Sequence, residues 1–166
     1  MSKFEEDFRE FYQDQSIADL TKTDENKCSL MSSLQGQQDR WDDNDKLNLF
    51  KRVIVENSYL FKGKTILDLR CGLGFYGIFA ARSGAAKVYS VDVSQSLVLT
   101  EKIVARNNLQ HIIQVLRGKI GEVPIPAKSI DVIICDWVGG FIINDDILSE
   151  LIVARDTLLK DGGIVS

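Results

Sequence analysis

The chain has 166 residues, 45% of them hydrophobic, and a formal net charge of -4. Its length and apolar content are enough for one domain with a substantial core. No apolar run approaches the roughly 20 residues of a membrane span, and the acidic balance argues against direct nucleic-acid binding. Three widely spaced cysteines, without a Cys-x-x-Cys pair or a histidine cluster, predict free thiols in a reducing cytoplasmic or nuclear compartment and no metal site.

Residues 1–44 form an acidic, polar N-terminal segment. Three phenylalanines and a tyrosine between residues 4 and 12 fall on one side of a predicted amphipathic helix. Over residues 16–44, aspartate, glutamate, glutamine and serine dominate and few apolar anchors interrupt them. This composition predicts a partly helical or disordered linker.

Residues 45–166 alternate helices and strands, as an α/β domain does. The first helix is predicted over 45–59, with Leu47, Phe50, Val53 and Ile54 turned inward. Such alternation predicts a parallel sheet with helices on both faces. The elements that follow are a strand over 64–69, a helix over 75–83, a strand over 87–91, a helix over 94–107 capped by Ser94, strands over 111–116 and 129–135, and a helix over 144–159.

The predicted sheet is incomplete at its C-terminal side. Asp-Gly-Gly at 161–163 predicts a turn into a short apolar strand over 164–166. Unpaired backbone groups on such an edge need a cover or a partner. We therefore expect an unusually short protein, a chain that pairs with another chain, or a part of something longer.

A glycine-rich turn after the first strand carries the strongest functional signal. Gly72 and Gly74 lack a Cβ, so they allow a sharp turn and the close approach of a ligand to the backbone. Asp68 lies near the end of the first strand and Asp92 lies at the end of the second, so both carboxylates are expected in the crevice outside the strand ends. An acid at the second position is the usual partner of ribose hydroxyls. The predicted ligand is therefore nucleotide-like: NAD, FAD or S-adenosylmethionine.

The charge of Asp68 helps to choose among these ligands. Gly72, Gly74 and Gly77 satisfy the dinucleotide spacing, so that spacing alone decides little. An anion at position 68 would repel a pyrophosphate but would suit the ammonium group of S-adenosylmethionine. This argument favours S-adenosylmethionine, and leaves as an alternative an NAD-dependent enzyme, for which the chain offers no nearby catalytic base.

Five stretches within residues 45–166 follow the sequence pattern of a known enzyme family. The stretches are Ile-Leu-Asp-Leu-Arg-Cys-Gly-Leu-Gly at 66–74, Phe-Ala-Ala-Arg-Ser-Gly-Ala-Ala-Lys-Val at 79–88, Arg-Gly-Lys-Ile-Gly-Glu-Val at 117–123, Asp-Val-Ile-Ile-Cys-Asp-Trp-Val-Gly-Gly at 131–140 and Ala-Arg-Asp-Thr-Leu-Leu-Lys-Asp-Gly-Gly at 154–163. With these stretches, residues 45–166 resemble the cofactor-binding half of the protein arginine methyltransferases. The first stretch would fit many methyltransferases, whereas the last two are more specific.

The resemblance implies a Rossmann-like, S-adenosylmethionine-dependent methyltransferase that acts on arginine in a protein substrate. By position, Asp136 and Asp145 would be the catalytic acids that clamp the substrate guanidinium, whose planar fork of donors two carboxylates can meet bidentately. The implied cofactor contacts are Lys46 at its carboxylate, Asp68, Gly72 and Gly74 at the turn, Asp92 at the ribose, and Ile120 and Gly121 beside the adenine.

Several departures from the family pattern define an alternative function. Asp136 and Asp145 stand where the family has the longer glutamates, and Gly121 replaces a glutamate. Arg70 replaces the first glycine of the turn and puts a cation beside a cationic cofactor. We expect no convincing counterpart of the aromatic element that closes over the cofactor, and none of the barrel or the dimerisation arm. The alternative is a weak or inactive paralogue that binds or regulates an active methyltransferase in a homo- or hetero-oligomer.

Overall fold

The computed structural model describes residues 44–136 and 146–166. Most of the predicted N-terminal segment therefore lies outside the described residues, as do Asp145 and Trp137. None of the helices within the described ranges has both the length and the apolar character needed to cross a membrane.

A parallel sheet is the frame of the described residues. The strands lie in the order β3-β2-β1-β4-β5, and each neighbouring pair is parallel. The predicted fold class is confirmed, and the strand order reverses beside β1, the position at which such folds bind ligands. The elements are α1 (Asn44–Glu56), a 3-10 turn (Ser58–Leu60), β1 (Thr65–Leu69), α2 (Phe75–Arg82), β2 (Lys87–Asp92), α3 (Leu97–Arg106), β3 (Ile113–Arg117), β4 (Ile130–Cys135), α4 (Asp146–Thr157) and β5 (Leu159–Val165).

Two apolar cores cover the two faces of the sheet. Ile66 and Val88 point into a core that also contains residues of α1, α2 and α3, whereas Leu67 and Ile133 point into one that contains residues of α4. Because both faces are covered, the central strands are nearly continuous apolar runs. Asp68 interrupts β1 and is fully buried, which a carboxylate seldom is without a functional or pairing reason.

The prediction that Val53 faces inward and the prediction that Ser94 caps a helix were both wrong. Val53 does not face inward but is 40% exposed, because Ile54 occupies the buried side of α1 at that level. Ser94 does not cap α3, which begins at Leu97. The Ser94 amide instead donates to the Asp92 carboxylate at 2.9 Å, and this bond holds Ser94 outside the helix.

The last strand also differs from its prediction. The Asp-Gly-Gly sequence lies inside β5 and does not form a turn that precedes a new strand. Ile130 pairs with Leu159 and Val132 pairs with Ile164, so β5 contains extra residues that bulge out of the ladder, with Gly162 at a φ of 75°. β5 is consequently a seven-residue edge strand, while the described sheet stays open on that side.

Asp131 joins three strands at the end of the sheet away from the glycine turn. Its Oδ2 accepts the Thr65 amide at 2.8 Å, and its Oδ1 meets the Lys160 ammonium at 2.9 Å. Partial burial opposes the charge, but the Thr65 amide and Lys160 lower the pKa of Asp131 below 3.8. Its stabilising contribution is thus present above pH 3.8 and is lost as the pH falls through the folded-state pKa.

We expect Asp131→Asn to reduce the unfolding free energy by about 1–2 kcal/mol at pH 7, since it weakens two charge-assisted hydrogen bonds. The difference from wild type should shrink towards pH 3. Urea denaturation at both pH values measures it. Asp156→Asn is the matched control, because Asp156 pairs with Arg155 on the exposed side of α4 and should matter little. An equal loss in the two variants would contradict the strand-joining role.

Candidate active site

The turn between β1 and α2 is fixed by backbone hydrogen bonds. Gly72 and Gly74 have φ values of 53° and 78°, in the left-handed region that glycine adopts without strain. The Cys71 amide donates to the Val91 carbonyl at 3.1 Å, and the Gly74 amide donates to the Cys71 carbonyl at 2.8 Å. The predicted strand, turn and helix are present, and the turn is attached to β2.

Asp68 is buried directly behind this turn. Its Oδ2 accepts the Gly77 amide at 2.9 Å, whereas Oδ1 has no hydrogen-bond partner among the described residues. Burial raises the pKa of Asp68 from 3.8 to about 7, with the Gly77 amide lowering it and the charge of Asp92 raising it. Asp68 therefore holds a proton near neutral pH that a nearby cation would displace.

Asp92 connects the loops that follow three neighbouring strands. Its Oδ2 accepts the Gly72 amide and its Oδ1 accepts the Ser94 amide, both at 2.9 Å. Its backbone carbonyl accepts the Gly118 amide at 3.0 Å. The structure thus brings Asp68, Gly72 and Asp92 together at the C-terminal ends of neighbouring strands, as the sequence predicted.

The turn after β3 holds Ile120 and Gly121. The Ile120 side chain is buried in the core shared with α4, so it contributes to packing. Gly121 has a φ of 95°, and no atom of the described residues lies within 4 Å of where a Cβ would be. The Glu122 carboxylate accepts the Lys119 amide at 3.2 Å and so turns back on its own loop. Gly121 consequently leaves open space on the loop after β3, which is attached to Asp92 through the Gly118 amide.

Asp136 follows β4 and is already engaged inside the chain. The Lys46 ammonium lies 2.5 Å from its Oδ1, and the Tyr76 hydroxyl donates to its Oδ2 at 3.2 Å. Phe50 stacks on Tyr76 with ring centroids 4.4 Å apart, which places α1 against α2. The structure therefore joins one predicted cofactor residue, Lys46, to one predicted catalytic residue, Asp136. Asp145, the other predicted clamp acid, lies outside the described residues.

Glu150 is a site residue that sequence reasoning missed. Its carboxylate holds the Arg70 guanidinium by two bonds, from Nε at 3.0 Å and from Nη2 at 2.9 Å. The signal was present in the sequence, because Glu150 shares the inner side of α4 with Ile147, Leu151 and Ala154. An acid on an apolar helix side needs a partner, and Arg70 is the cation nearby.

Four charged residues lie around the end of β4. Burial, together with the charges of Asp68, Asp136 and Glu150, raises the pKa of Cys135 to about 12, although the charge of Arg70 lowers it. Burial likewise raises the pKa of Cys71. Both thiols are therefore protonated at neutral pH and are poor nucleophiles. Within residues 44–136 and 146–166, no group of three or more His, Cys, Asp or Glu side chains could hold a metal ion.

Comparison with known proteins confirms the predicted resemblance. Residues 66–163 match the family described as "Methyltransferase domain". The chain is 39% identical over 116 residues to protein arginine N-methyltransferase 1 of Oryza sativa subsp. indica, covering 70% of this chain and 30% of that protein. The chain thus spans about a third of the length of the curated relatives that it matches.

Two solved structures extend the likeness to three dimensions. The crystal structure of Arabidopsis thaliana protein arginine methyltransferase 10 matches with a TM-score of 0.75 and 34% identity, over 80% of this chain and 38% of that chain. The Trypanosoma brucei PRMT1 enzyme-prozyme heterotetrameric complex with AdoHcy matches with a TM-score of 0.71 and 34% identity, over 75% and 39%.

Proposed function

Because the chain belongs to the methyltransferase-domain family, we propose that it binds S-adenosylmethionine and takes part in methyl transfer to a guanidinium nitrogen of protein arginine. The observation that carries the proposal is the buried Asp68, whose Oδ1 has no hydrogen-bond partner among the described residues behind the glycine turn. Its relatives named as arginine methyltransferases support the choice of substrate.

The residues at the turn fit the cofactor chemically. Asp68 offers a carboxylate oxygen to an ammonium group, and the burial of that oxygen would favour a cation over a neutral ligand. Asp92 lies where a ribose would meet an acid, and Gly121 leaves space on the loop whose Gly118 amide donates to the Asp92 carbonyl. Lys46 would take the cofactor carboxylate. When bound, S-adenosylmethionine supplies a methyl group on a sulfonium that a nitrogen nucleophile can accept.

Asp136 is proposed to orient the arginine. In the structure it already binds a cation, the Lys46 ammonium, so the position suits a guanidinium. A carboxylate that holds the guanidinium in one orientation leaves a terminal nitrogen directed at the donor, and such positioning supplies much of the rate. The Lys46 ammonium must move or share the carboxylate for this to happen. Asp145 is proposed as the second acid of the clamp.

Calorimetry and a radiolabelled methyl assay test the proposal. The chain should bind S-adenosylmethionine, and an arginine peptide should gain label while the same peptide with lysine at each arginine should not. We expect Asp136→Asn to lower methyl transfer by roughly 100-fold or more, because one charged hydrogen-bond partner of the transition state is lost. Asp136→Glu, which keeps the charge, is the matched control and should retain activity. Failure to bind the cofactor would reject the proposed function.

A second function is a non-catalytic partner of a complete methyltransferase. Two observations favour it: Asp136 is already engaged by an ion pair with Lys46 and a hydrogen bond from Tyr76, and one structural neighbour is an enzyme-prozyme complex. Cofactor binding without methyl transfer, together with increased activity of a full-length relative on mixing, would support this role. Size-exclusion chromatography of the mixture should then show a homo- or hetero-oligomer.

A further inference from the structure

The Arg70–Glu150 ion pair lies next to the proposed cofactor site. Arg70 is the second residue before Gly72, and it has a φ of 57°, a left-handed conformation that is unfavourable for a residue with a Cβ. Its guanidinium meets both oxygens of Glu150, and both side chains are largely buried. Two largely buried groups that bind bidentately form one of the stronger ion pairs a protein can make.

The strand register places this pair at the C-terminal ends of the strands, where the proposed reacting groups also lie. Leu69 pairs with Cys135 in the sheet, so Arg70 and Asp136 both follow directly at the ends of neighbouring strands. Neighbouring strands lie about 4.8 Å apart. The charges of Arg70, Asp68, Asp136 and Glu150 all affect the pKa of Cys135, so all four groups lie near the end of β4. A charge at Arg70 therefore acts on any ligand held at the turn.

We propose that Glu150 is a positioning residue that holds and neutralises Arg70, and thereby lets the site prefer the cationic methyl donor S-adenosylmethionine over its neutral product S-adenosylhomocysteine. This inference rests on the proposed function, because it requires that the turn bind these two ligands. Donor and product share the adenosine and the amino-acid end. They differ in the sulfonium methyl group and its positive charge.

The charge difference makes the effect of Glu150 measurable as a ratio. Without Glu150, the Arg70 cation repels the donor but not the product. Two unit charges on the order of 8 Å apart, at an effective dielectric of about 20 to 40, change an affinity by roughly 5- to 30-fold. A loss of packing alone would weaken both ligands alike, so it would leave the ratio of their dissociation constants unchanged.

Calorimetric titration of the full chain with each ligand at pH 8, above the pKa of Asp68, tests the inference. We expect Glu150→Gln to shift the ratio towards the product by roughly 5- to 30-fold. Arg70→Gly leaves an unpaired anion and places glycine at a positive φ, so it should shift the ratio the other way. The double variant Arg70→Gly/Glu150→Gln should return to the wild-type ratio. Thermal denaturation identifies any variant that does not fold.

The two single variants shift the ratio in opposite directions, so one folded single variant is enough for a decision. Equal weakening of both ligands, or an unchanged ratio in a folded single variant, would overturn the role of Glu150 while the proposed function stands. Failure of the wild-type chain to bind either ligand would instead overturn the proposed function, and this inference with it.

Discussion

S-adenosylmethionine is expected to bind roughly tenfold more weakly for each unit that the pH falls below about 7. Burial raises the pKa of Asp68 to about 7, and the cofactor ammonium requires the ionised carboxylate. The groups that face Asp68 are Asp92 on β2, Cys71 in the turn and Cys135 on β4, and both thiols stay neutral in this range because burial raises their pKa. The pH dependence is therefore assigned to Asp68.

Asp68→Asn removes the titrating group with little change of shape. We expect the variant to bind S-adenosylmethionine at least tenfold more weakly at pH 8 and with little pH dependence. Calorimetry in buffers of different ionisation enthalpy should show that wild type releases about one proton on binding near pH 6, and that the variant releases none. The same pH slope in both proteins would contradict the assignment.

The stability of the free chain carries the matching signature. The folded-state pKa of Asp68 lies above its unfolded value, so its contribution is fully present below pH 3.8 and is lost as the pH rises through about 7. Relative to Asp68→Asn, wild type should lose on the order of 2 kcal/mol of unfolding free energy between pH 5 and pH 8. Urea denaturation at both pH values measures this difference.

Gly74→Ala is expected to destabilise the chain by roughly 2–5 kcal/mol. The alanine would have to adopt a φ of 78°, which costs about 1–2 kcal/mol. Its Cβ would also lie 2.7 Å from Cγ2 of Thr100, a fully buried side chain. Overpacking of this kind adds about 1–3 kcal/mol. Chemical denaturation measures the total.

Two further variants separate the two costs. Gly121→Ala places alanine at a similarly positive φ of 95°, but no atom within the described ranges lies within 4 Å of the new Cβ. It should therefore lose only the conformational part of the unfolding free energy. Thr100→Ser removes Cγ2 and keeps the hydroxyl that donates to the Gly72 carbonyl at 2.7 Å. It should therefore partly rescue Gly74→Ala. Equal losses at positions 74 and 121, or no rescue, would show that the contact with Thr100 is unimportant.

The glycine turn could be predicted because its determinants are local in sequence. The apolar run before it, Gly72 and Gly74 within it and the helical spacing after it all lie inside about a dozen residues. The parallel pairing of β1 and β2 then places Asp68 and Asp92 near the C-terminal ends of these two strands, whatever the details of packing. The roles assigned to these residues remain predictions for binding experiments.

The contacts of Arg70 and Asp136 depend on docking that no local pattern encodes. Arg70 and Glu150 are 80 residues apart, and they meet only once α4 covers its face of the sheet. Lys46 reaches Asp136 because α1 packs on α2 through Phe50 and Tyr76. The bulge in β5 likewise follows from the pairing of Ile130 and Val132 with their partners. Such long-range geometry sets which acids already have partners.

The turn before α2 has a thermodynamic consequence for association. Gly72 donates its amide to Asp92 and accepts the Thr100 hydroxyl at its carbonyl, so both sides of its backbone are hydrogen-bonded within the chain. Conformational entropy at this turn is thus lost during folding, and ligand capture does not have to order it again. A ligand that binds at a turn ordered in this way requires little rearrangement of the backbone.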